Sequence, residues 1–309
     1  MKQGCVVFSV AFAFCVQAGV SFGAALTSAD YVSSGLAAQW DGIEYAGRGI
    51  PRNYFANWCD IVGGRTISLN NYMTANSTPY GVYFGGSSAY WGSLKFGDRT
   101  LLAPREEGIT VEVVFTFADA KAIATLFTGD RASGVCISRT STGLMVFGND
   151  GVASQATYSP APENRFAVFS VGYTNGVIAA DHVFIDGAAV ELNSEATSRK
   201  ADGEIYIVRD SVGDYAKGLM HAVRVYHRLL TAEEAAKNHE IDVNRFTRRP
   251  AFDVVSGTVT VDGVEYGAGR GVFSAQDGAV TVSAASGAVI APNPDGLTRL
   301  TVEAGDIAF

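Results

Sequence analysis

Residues 109–117 read Ile-Thr-Val-Glu-Val-Val-Phe-Thr-Phe, so that Ile109, Val111, Val113, Phe115 and Phe117 alternate with Thr110, Glu112, Val114 and Thr116. Side chains alternate sides along an extended strand. This run therefore has one apolar face, which a second layer must cover, and one wetter face. The same two-residue period recurs at 35–40, 135–138, 143–147, 166–173, 204–208 and 219–226. Residues 183–185, Asp186-Gly187 and 188–192 read as a hairpin, because Asp-Gly accepts the positive φ angles of a two-residue turn. Only 17% of residues are charged and 35 are glycine, a balance that suits many short strands and tight turns and argues against a disordered chain. The expected fold class is all-β: a two-sheet antiparallel β-sandwich, with one short helix towards its C-terminal end and a small additional β-region.

The helix follows from Thr231-Ala232-Glu233-Glu234, a capping box in which Thr231 and Glu234 each accept from the other's backbone N–H. It is expected to run to about Arg245. Thr247-Arg248-Arg249 before Pro250 is the best linker in the chain. The expected organisation is thus residues 1–25 as a targeting segment, 26–249 as the sandwich, and 250–309 as the small β-region. In that last part, residues 258–261, Asp262-Gly263 and 264–266 form a second hairpin pattern, with further strands near 279–284 and 299–302. It is short for an independent core, so it either packs on the sandwich or is a small module of its own.

Lys2 followed by an apolar stretch from Cys5 to Val16, with Ser9 its one polar residue, and then Ser21, Gly23, Ala24 and Ala25, has the form of a secretory signal cut near Gly23 or Ala25. The stretch is short for a membrane span, and no second long apolar run follows. The expected location is secreted, extracellular or periplasmic. The net charge of −8 argues against nucleic acid and anionic membranes as partners. Cys59 and Cys136 remain after processing. In an oxidising compartment they form either one disulfide or two separate buried thiols.

Four stretches in order resemble the LamG-like jelly-roll family of the concanavalin A-like lectin and glucanase fold, in its bacterial secreted form. Gly35-Leu36-Ala37-Ala38-Gln39-Trp40-Asp41-Gly42 resembles the family's opening strand, and Trp58-Cys59-Asp60-Ile61-Val62-Gly63-Gly64 resembles its next turn. Residues 109–117 resemble the strand that follows. Residues 218–234, from Gly218 through Arg224-Val225-Tyr226 to Glu234, resemble the closing strand and its short helix, the most specific match of the four. The resemblance covers about residues 31–246. It implies two packed antiparallel sheets, extracellular placement, binding to carbohydrate or protein and, in many members, a calcium ion at the sandwich rim. Arg224 and Tyr226 alternate with Val223 and Val225, which places them on the less buried face of a sheet.

Catalytic signatures are incomplete. Glu240-Ile241-Asp242-Val243-Asn244-Arg245 begins the E-x-D-x-x-E pattern of retaining glucanases, but Arg245 stands where the last carboxylate belongs and the stretch falls on the helix, where it reads as a solvated face. No catalytic residue is assigned, and the expectation is that the chain is not an enzyme. His182, His221, His227 and His239 show no zinc-ligand grouping. Tyr80, Tyr83, Tyr90 and Trp91 lie in a Gly- and Ser-rich stretch and are candidate ligand-binding residues, because exposed aromatic faces stack on the apolar side of sugar rings. The alternative is that a strand buries half of them. Asp60, Asp98 and Asp130 are candidate oxygen ligands for calcium, with turn formation as the alternative. The expected function is a secreted, lectin-like module binding glycan at the loop rim of the sandwich. A structural or adhesive surface component with protein partners is the second reading, and a glycoside hydrolase the third.

Overall fold

The computed structural model describes residues 27–44, 57–69, 81–86, 92–94, 100–118, 123–129, 134–140, 143–148, 152–157, 166–198, 205–208, 216–247, 252–261, 264–269, 271–272, 279–292 and 299–308. The strands up to the helix are β1 (Leu36–Asp41), β2 (Asn57–Cys59), β3 (Thr66–Leu69), β4 (Val82–Gly85), β5 (Gly92–Leu94), β6 (Ile109–Phe117), β7 (Ile123–Thr128), β8 (Cys136–Thr140), β9 (Gly143–Phe147), β10 (Val152–Thr157), β11 (Phe166–Thr174), β12 (Val177–Ile185), β13 (Ala188–Ala189), β14 (Asn193–Ser198), β15 (Tyr206–Ile207) and β16 (Lys217–Tyr226). The helix α1 spans Ala232–Phe246. Then come β17 (Phe252–Ser256), β18 (Thr258–Val261), β19 (Val264–Gly267), β20 (Gly271–Val272), β21 (Ala279–Ser283), β22 (Ala288–Pro292), β23 (Arg299–Ala304) and β24 (Ile307–Ala308).

The first sixteen strands form two antiparallel sheets. One has seven strands in the order β1-β16-β6-β11-β12-β13, with β4 also pairing β16. The other has nine, in the order β14-β10-β9-β8-β7-β15-β5-β3-β2. The apolar alternates of β6 do what their spacing demands. Val111, Val113, Phe115 and Phe117 are at most 1% exposed and share one core cluster with Phe169 and Val223 of their own sheet. From the facing sheet, Ile137, Leu144 and Val146 join the same cluster. Phe117 sits 4.9 Å from Phe115 and 6.1 Å from Phe169 by ring centroids, both tilted, the aromatic arrangement that avoids stacking negative faces. Each of these side chains contributes about 1.5–3 kcal/mol by leaving water. The molecule is an all-β sandwich with a single α-helix among the described residues.

The Asp186-Gly187 turn forms between β12 and β13 with φ of +52° and +75°, and Asn175-Gly176 turns β11 into β12 in the same way, at +51° and +80°. Thr231 caps α1 as its sequence indicates: its hydroxyl accepts from the Glu234 N–H, and Glu234 accepts from the Thr231 N–H. One expectation is corrected. The second face of β6 is not wet, since Thr110, Glu112 and Val114 are fully buried. This outer face of the seven-stranded sheet meets α1, whose Phe246 packs with Val114, Val168 and Ala222.

Residues 252–308 form two four-stranded sheets, β20-β17-β22-β24 and β19-β18-β21-β23. Their apolar residues make a cluster of their own around Phe252, Val254, Val259, Val272, Val282 and Ile290. Those residues come from both small sheets, so this part of the chain has a core without borrowing from the larger one. A chain of residues 26–249 is therefore expected to give a β-rich circular-dichroism spectrum and one cooperative thermal transition. Loss of the transition on truncation would show that residues 250–309 are needed to hold the sandwich.

Candidate functional site

Four strands of the seven-stranded sheet each place one half-buried residue in a row across the outer face. Tyr83 on β4 pairs with Leu219 on β16, Leu219 with Thr116 on β6, and Thr116 with Phe166 on β11. Directly opposed residues share a face. The neighbours Phe84, Met220, Phe117 and Ala167 all belong to the core cluster, so the row faces away from it. Lys217, two residues before Leu219, is half-buried on the same side. Gly218 between them holds φ at +146°, and a Cβ there would stand 2.0 Å from the Thr116 carbonyl oxygen, so close strand approach requires glycine at this position. At the far end, the buried His221 ring lies 5.4 Å from the Phe166 ring and 5.1 Å from that of Phe246, and His221 Nε2 bonds Thr116 Oγ1 at 2.8 Å. The row spans three strand spacings, about 14 Å. It offers two aromatic rings, an aliphatic side chain, a hydroxyl and an ammonium group to whatever lies on it.

Beside this row, a buried polar network holds α1 and the N-terminal segment to the sheet. The helix faces the sheet with Ala235, Asn238, Asp242, Arg245 and Phe246, positions three or four apart and thus on one side. Arg224 of β16 donates from Nε to Glu112 of β6 at 2.8 Å and forks onto Asp242 of α1 at 2.8 and 2.5 Å, and all three side chains are fully buried. Asn238 donates to Glu112 at 2.8 Å and to the Tyr226 hydroxyl at 3.0 Å, while its own carbonyl accepts from the Val32 N–H. Arg245 donates to Asp41 at 2.6 and 3.2 Å, to Glu44 at 2.9 Å and to the Tyr31 hydroxyl, which itself donates to Asp242 at 2.6 Å. The Arg224 guanidinium also lies over the Tyr31 ring, 4.1 Å from its centroid.

Two guanidinium groups thus face four carboxyl groups. Burial pushes the Glu112 carboxyl above the ordinary carboxylate range, with Arg224 pulling down only in part and Asp242 adding to the rise. Among the described residues its Oε1 has no hydrogen-bond partner. Its Oε2, by contrast, accepts from both Arg224 and Asn238. Asp41 goes the other way. Burial alone would raise it, but the Arg245 guanidinium together with the Ile43 and Glu44 N–H donors holds it below its usual value.

This network corrects two readings. Arg224 and Tyr226 are fully buried rather than on a less buried face, because α1 covers them. Asp242 and Arg245 likewise point into the protein, leaving Glu240 and Val243 as the solvated part of that stretch. The signals were an acid inside an apolar strand at Glu112, an arginine between Val223 and Val225, and Asn238, Asp242 and Arg245 on one helix face.

Of the aromatic candidates, Tyr83 is half-buried on a strand rather than in a loop, opposite Leu219. Tyr80, Tyr90 and Trp91 lie outside the described residues, as do Asp98, Asp130 and the 1–25 segment. Asp60, the one described calcium candidate, has its carboxylate engaged within the fold. It is 2% exposed, and its carboxylate accepts from the Gln39 and Val62 N–H groups at 2.8 Å, the Gly63 N–H at 2.9 Å and Arg65 at 3.3 Å. Both oxygens accept hydrogen bonds, which tie the turn joining β2 to β3 together and to Gln39 of β1. Among the described residues no group of three metal-ligating side chains occurs. Cys59 and Cys136 form no disulfide, and each lies near a hydroxyl, of Thr66 at 3.8 Å and Ser138 at 3.7 Å. They stand on β2 and β8, five strand steps apart in one sheet. That is about 20 Å or more, beyond the reach of a disulfide.

The sequence matches no family model and no curated protein. Solved structures with a similar arrangement include Trypanosoma rangeli sialidase in complex with the inhibitor DANA, at 12% identity and a TM-score of 0.48, covering 67% of this chain and 33% of that one. The binding domain of botulinum neurotoxin serotype D matches at 8% identity and 0.46, covering 74% and 57%, and the receptor-binding domain of botulinum neurotoxin type G at 9% and 0.44, covering 74% and 58%. The chain spans about a third of the length of the sialidases and little over half of the toxin domains. One expectation is corrected by these matches. Sialidases are enzymes, so the reading of this chain as a non-enzyme, which rested on an incomplete carboxylate motif, does not stand.

The buried network generates a test. Removing the Arg224 side chain with Arg224→Ala leaves two buried carboxyl groups without their cation and is expected to cost about 3–5 kcal/mol of stability. Asp41, with its folded value depressed, stabilises above the ordinary carboxylate range, and that contribution is lost as pH falls through it. Glu112, with its folded value raised, has the opposite sign: its contribution is present at low pH and is lost as pH rises above about 4. In thermal melts across pH, Glu112→Gln is expected to flatten the decline on the alkaline side while leaving the acid limb, and Asp41→Asn to do the reverse. Identical profiles for the two variants and the parent would refute this assignment.

Proposed function

We propose that this chain is an exported binding module with a LamG-like sandwich, and that its ligand is a carbohydrate. The observation that carries the reading is the outer-face row of Tyr83, Leu219, Thr116 and Phe166, with Lys217 beside it. Aromatic side chains stack on the apolar face of a sugar ring, while a hydroxyl and an ammonium group orient its hydroxyls. The row is longer than one ring, which favours a short stretch of a polysaccharide over a monosaccharide. Its rigidity supports the same reading, since sheet residues held by cross-strand pairing lose little entropy when a ligand arrives. This position replaces the loop rim as the place of binding, and it keeps Tyr83 as a contact residue.

Supporting the exported location are the basic start, apolar stretch and small residues of the first 25 positions. No helix among the described residues is long and apolar enough to cross a membrane.

The test is a glycan array and a polysaccharide pull-down with residues 26–309. Tyr83→Ala and Phe166→Ala are each expected to weaken binding by at least about tenfold, the usual effect of truncating an aromatic contact at a binding centre. Arg228→Ala, remote from the row, serves as the control. Absence of binding to any glycan, or binding that both aromatic truncations leave intact, would overturn the proposal.

A further inference from the structure

β16 changes neighbour at His221. Along one edge it pairs β4 from Lys217 to Met220 and then β1 from Ala222 to Tyr226. Along the other edge it pairs β6, and there the register slips at the same place. Met220 faces Phe115 and Ala222 faces Val114, which makes His221 an extra residue on β16, a β-bulge. Met220 and Val223 belong to the sandwich core, whereas Ala222 clusters with Val114 and Phe246 on the outer face. Regular alternation turns one of any two consecutive side chains outward. The bulge turns two, His221 and Ala222.

The backbone of the bulge is fixed by its surroundings. The His221 carbonyl accepts from the Gly42 N–H at 2.8 Å as the chain leaves β1. A Cβ on Gly81, just before β4, would stand 3.0 Å from the His221 Cα, so the chain entering β4 lies against it too. Set in this way, the imidazole meets two members of the outer-face row at once. Its Nε2 bonds Thr116 Oγ1 at 2.8 Å, and its ring lies 5.4 Å from the Phe166 ring, with Phe246 behind it at 5.1 Å. Thr116 and Phe166 are themselves directly opposed on β6 and β11. A hydroxyl tied to a buried ring keeps one rotamer, and the cost of ordering it falls on folding rather than on binding.

We propose, on the reading of this row as a carbohydrate site, that His221 is its positioning residue. The bulge aims the imidazole so that the Thr116 hydroxyl and the Phe166 ring are held in register, one to orient a sugar hydroxyl and the other to stack on the ring. His221 is 3% exposed and acts through these two side chains, without touching the sugar itself. Bulges re-aim side chains in this manner beside functional sites.

The test is retardation of residues 26–309 in native gels containing galactomannan, laminarin or polygalacturonate, with circular dichroism and thermal melts confirming that each variant is folded. Thr116→Val removes the hydroxyl and is expected to weaken binding about fivefold, the effect of about one hydrogen bond. His221→Phe keeps a ring beside Phe166, loses the bond to Thr116, and is expected to weaken binding by a similar factor. The double variant is expected to bind no more weakly than either single one, because the shared bond is lost only once. His221→Gln, whose amide reaches about as far as Nε2, is expected to stay within about twofold of the parent. A purely structural His221 would instead give losses that multiply in the double variant and that glutamine does not repair; either result overturns the assignment. Binding that depends on Tyr83 and Phe166 but ignores Thr116→Val and His221→Phe overturns this assignment alone. If His221→Phe does not fold, binding unchanged by Thr116→Val or lost with His221→Gln does the same. A parent chain that none of the three polysaccharides retards, or that Tyr83→Ala and Phe166→Ala leave equally retarded, overturns the carbohydrate reading of the row and this assignment with it.

Discussion

Arg224 is the residue on which the arrangement of this protein turns. It leaves the outer face of the seven-stranded sheet, fully buried, and is held on one side by Glu112 from the next strand and on the other by Asp242 from the helix. A guanidinium group taken out of water must recover its solvation from such partners, and each partner must recover its own from the guanidinium. Its planar fork suits this, since Nη1 and Nη2 together engage both oxygens of one carboxylate. The consequence is geometric. The helix can sit on the sheet in the one position and rotation that brings Asp242 to Arg224 and Asn238 to Glu112 and Tyr226.

The same interaction reaches outward to the candidate binding row. The helix, once seated, brings Phe246 against the His221 ring, and His221 in turn bonds Thr116 in the middle of the row. Tyr31 carries the lock to the N-terminal segment through Asp242 and Arg245, and Glu44 binds Ser28 at its backbone N–H. A binding surface built on strands and braced in this manner is pre-organised, which suits recognition of an extended ligand by few contacts. The excess of carboxyl groups over guanidinium groups makes the brace sensitive to proton concentration in two opposite ways, through Asp41 and through Glu112.

Much of the fold was legible along the chain, and for physical reasons. The alternation of residues 109–117 marks β6 to the residue, because the side chains a strand sends into the core between the sheets repeat every two positions. The Asp186-Gly187 turn and the Thr231–Glu234 box were equally clear, since each depends on residues adjacent in sequence. Short strands such as β2 and β5 were not, because three residues carry no measurable period. The candidate site was legible only at Tyr83. Leu219, Thr116 and Phe166 join it across four strands, and no spacing in the sequence states which strands lie side by side.

By itself, the sequence determined an all-β chain with one capped helix, a signal-like start and a second small β-region, all of them matters of local pattern and composition. Tertiary structure alone decided that Glu112, Arg224 and Asp242 meet, that Asp60 ties its turn to β1, and that Cys59 and Cys136 stand too far apart to bridge. Each of these depends on strand order, which contacts distant in sequence establish through the collective burial of apolar faces, and a local reading contains no term for that order.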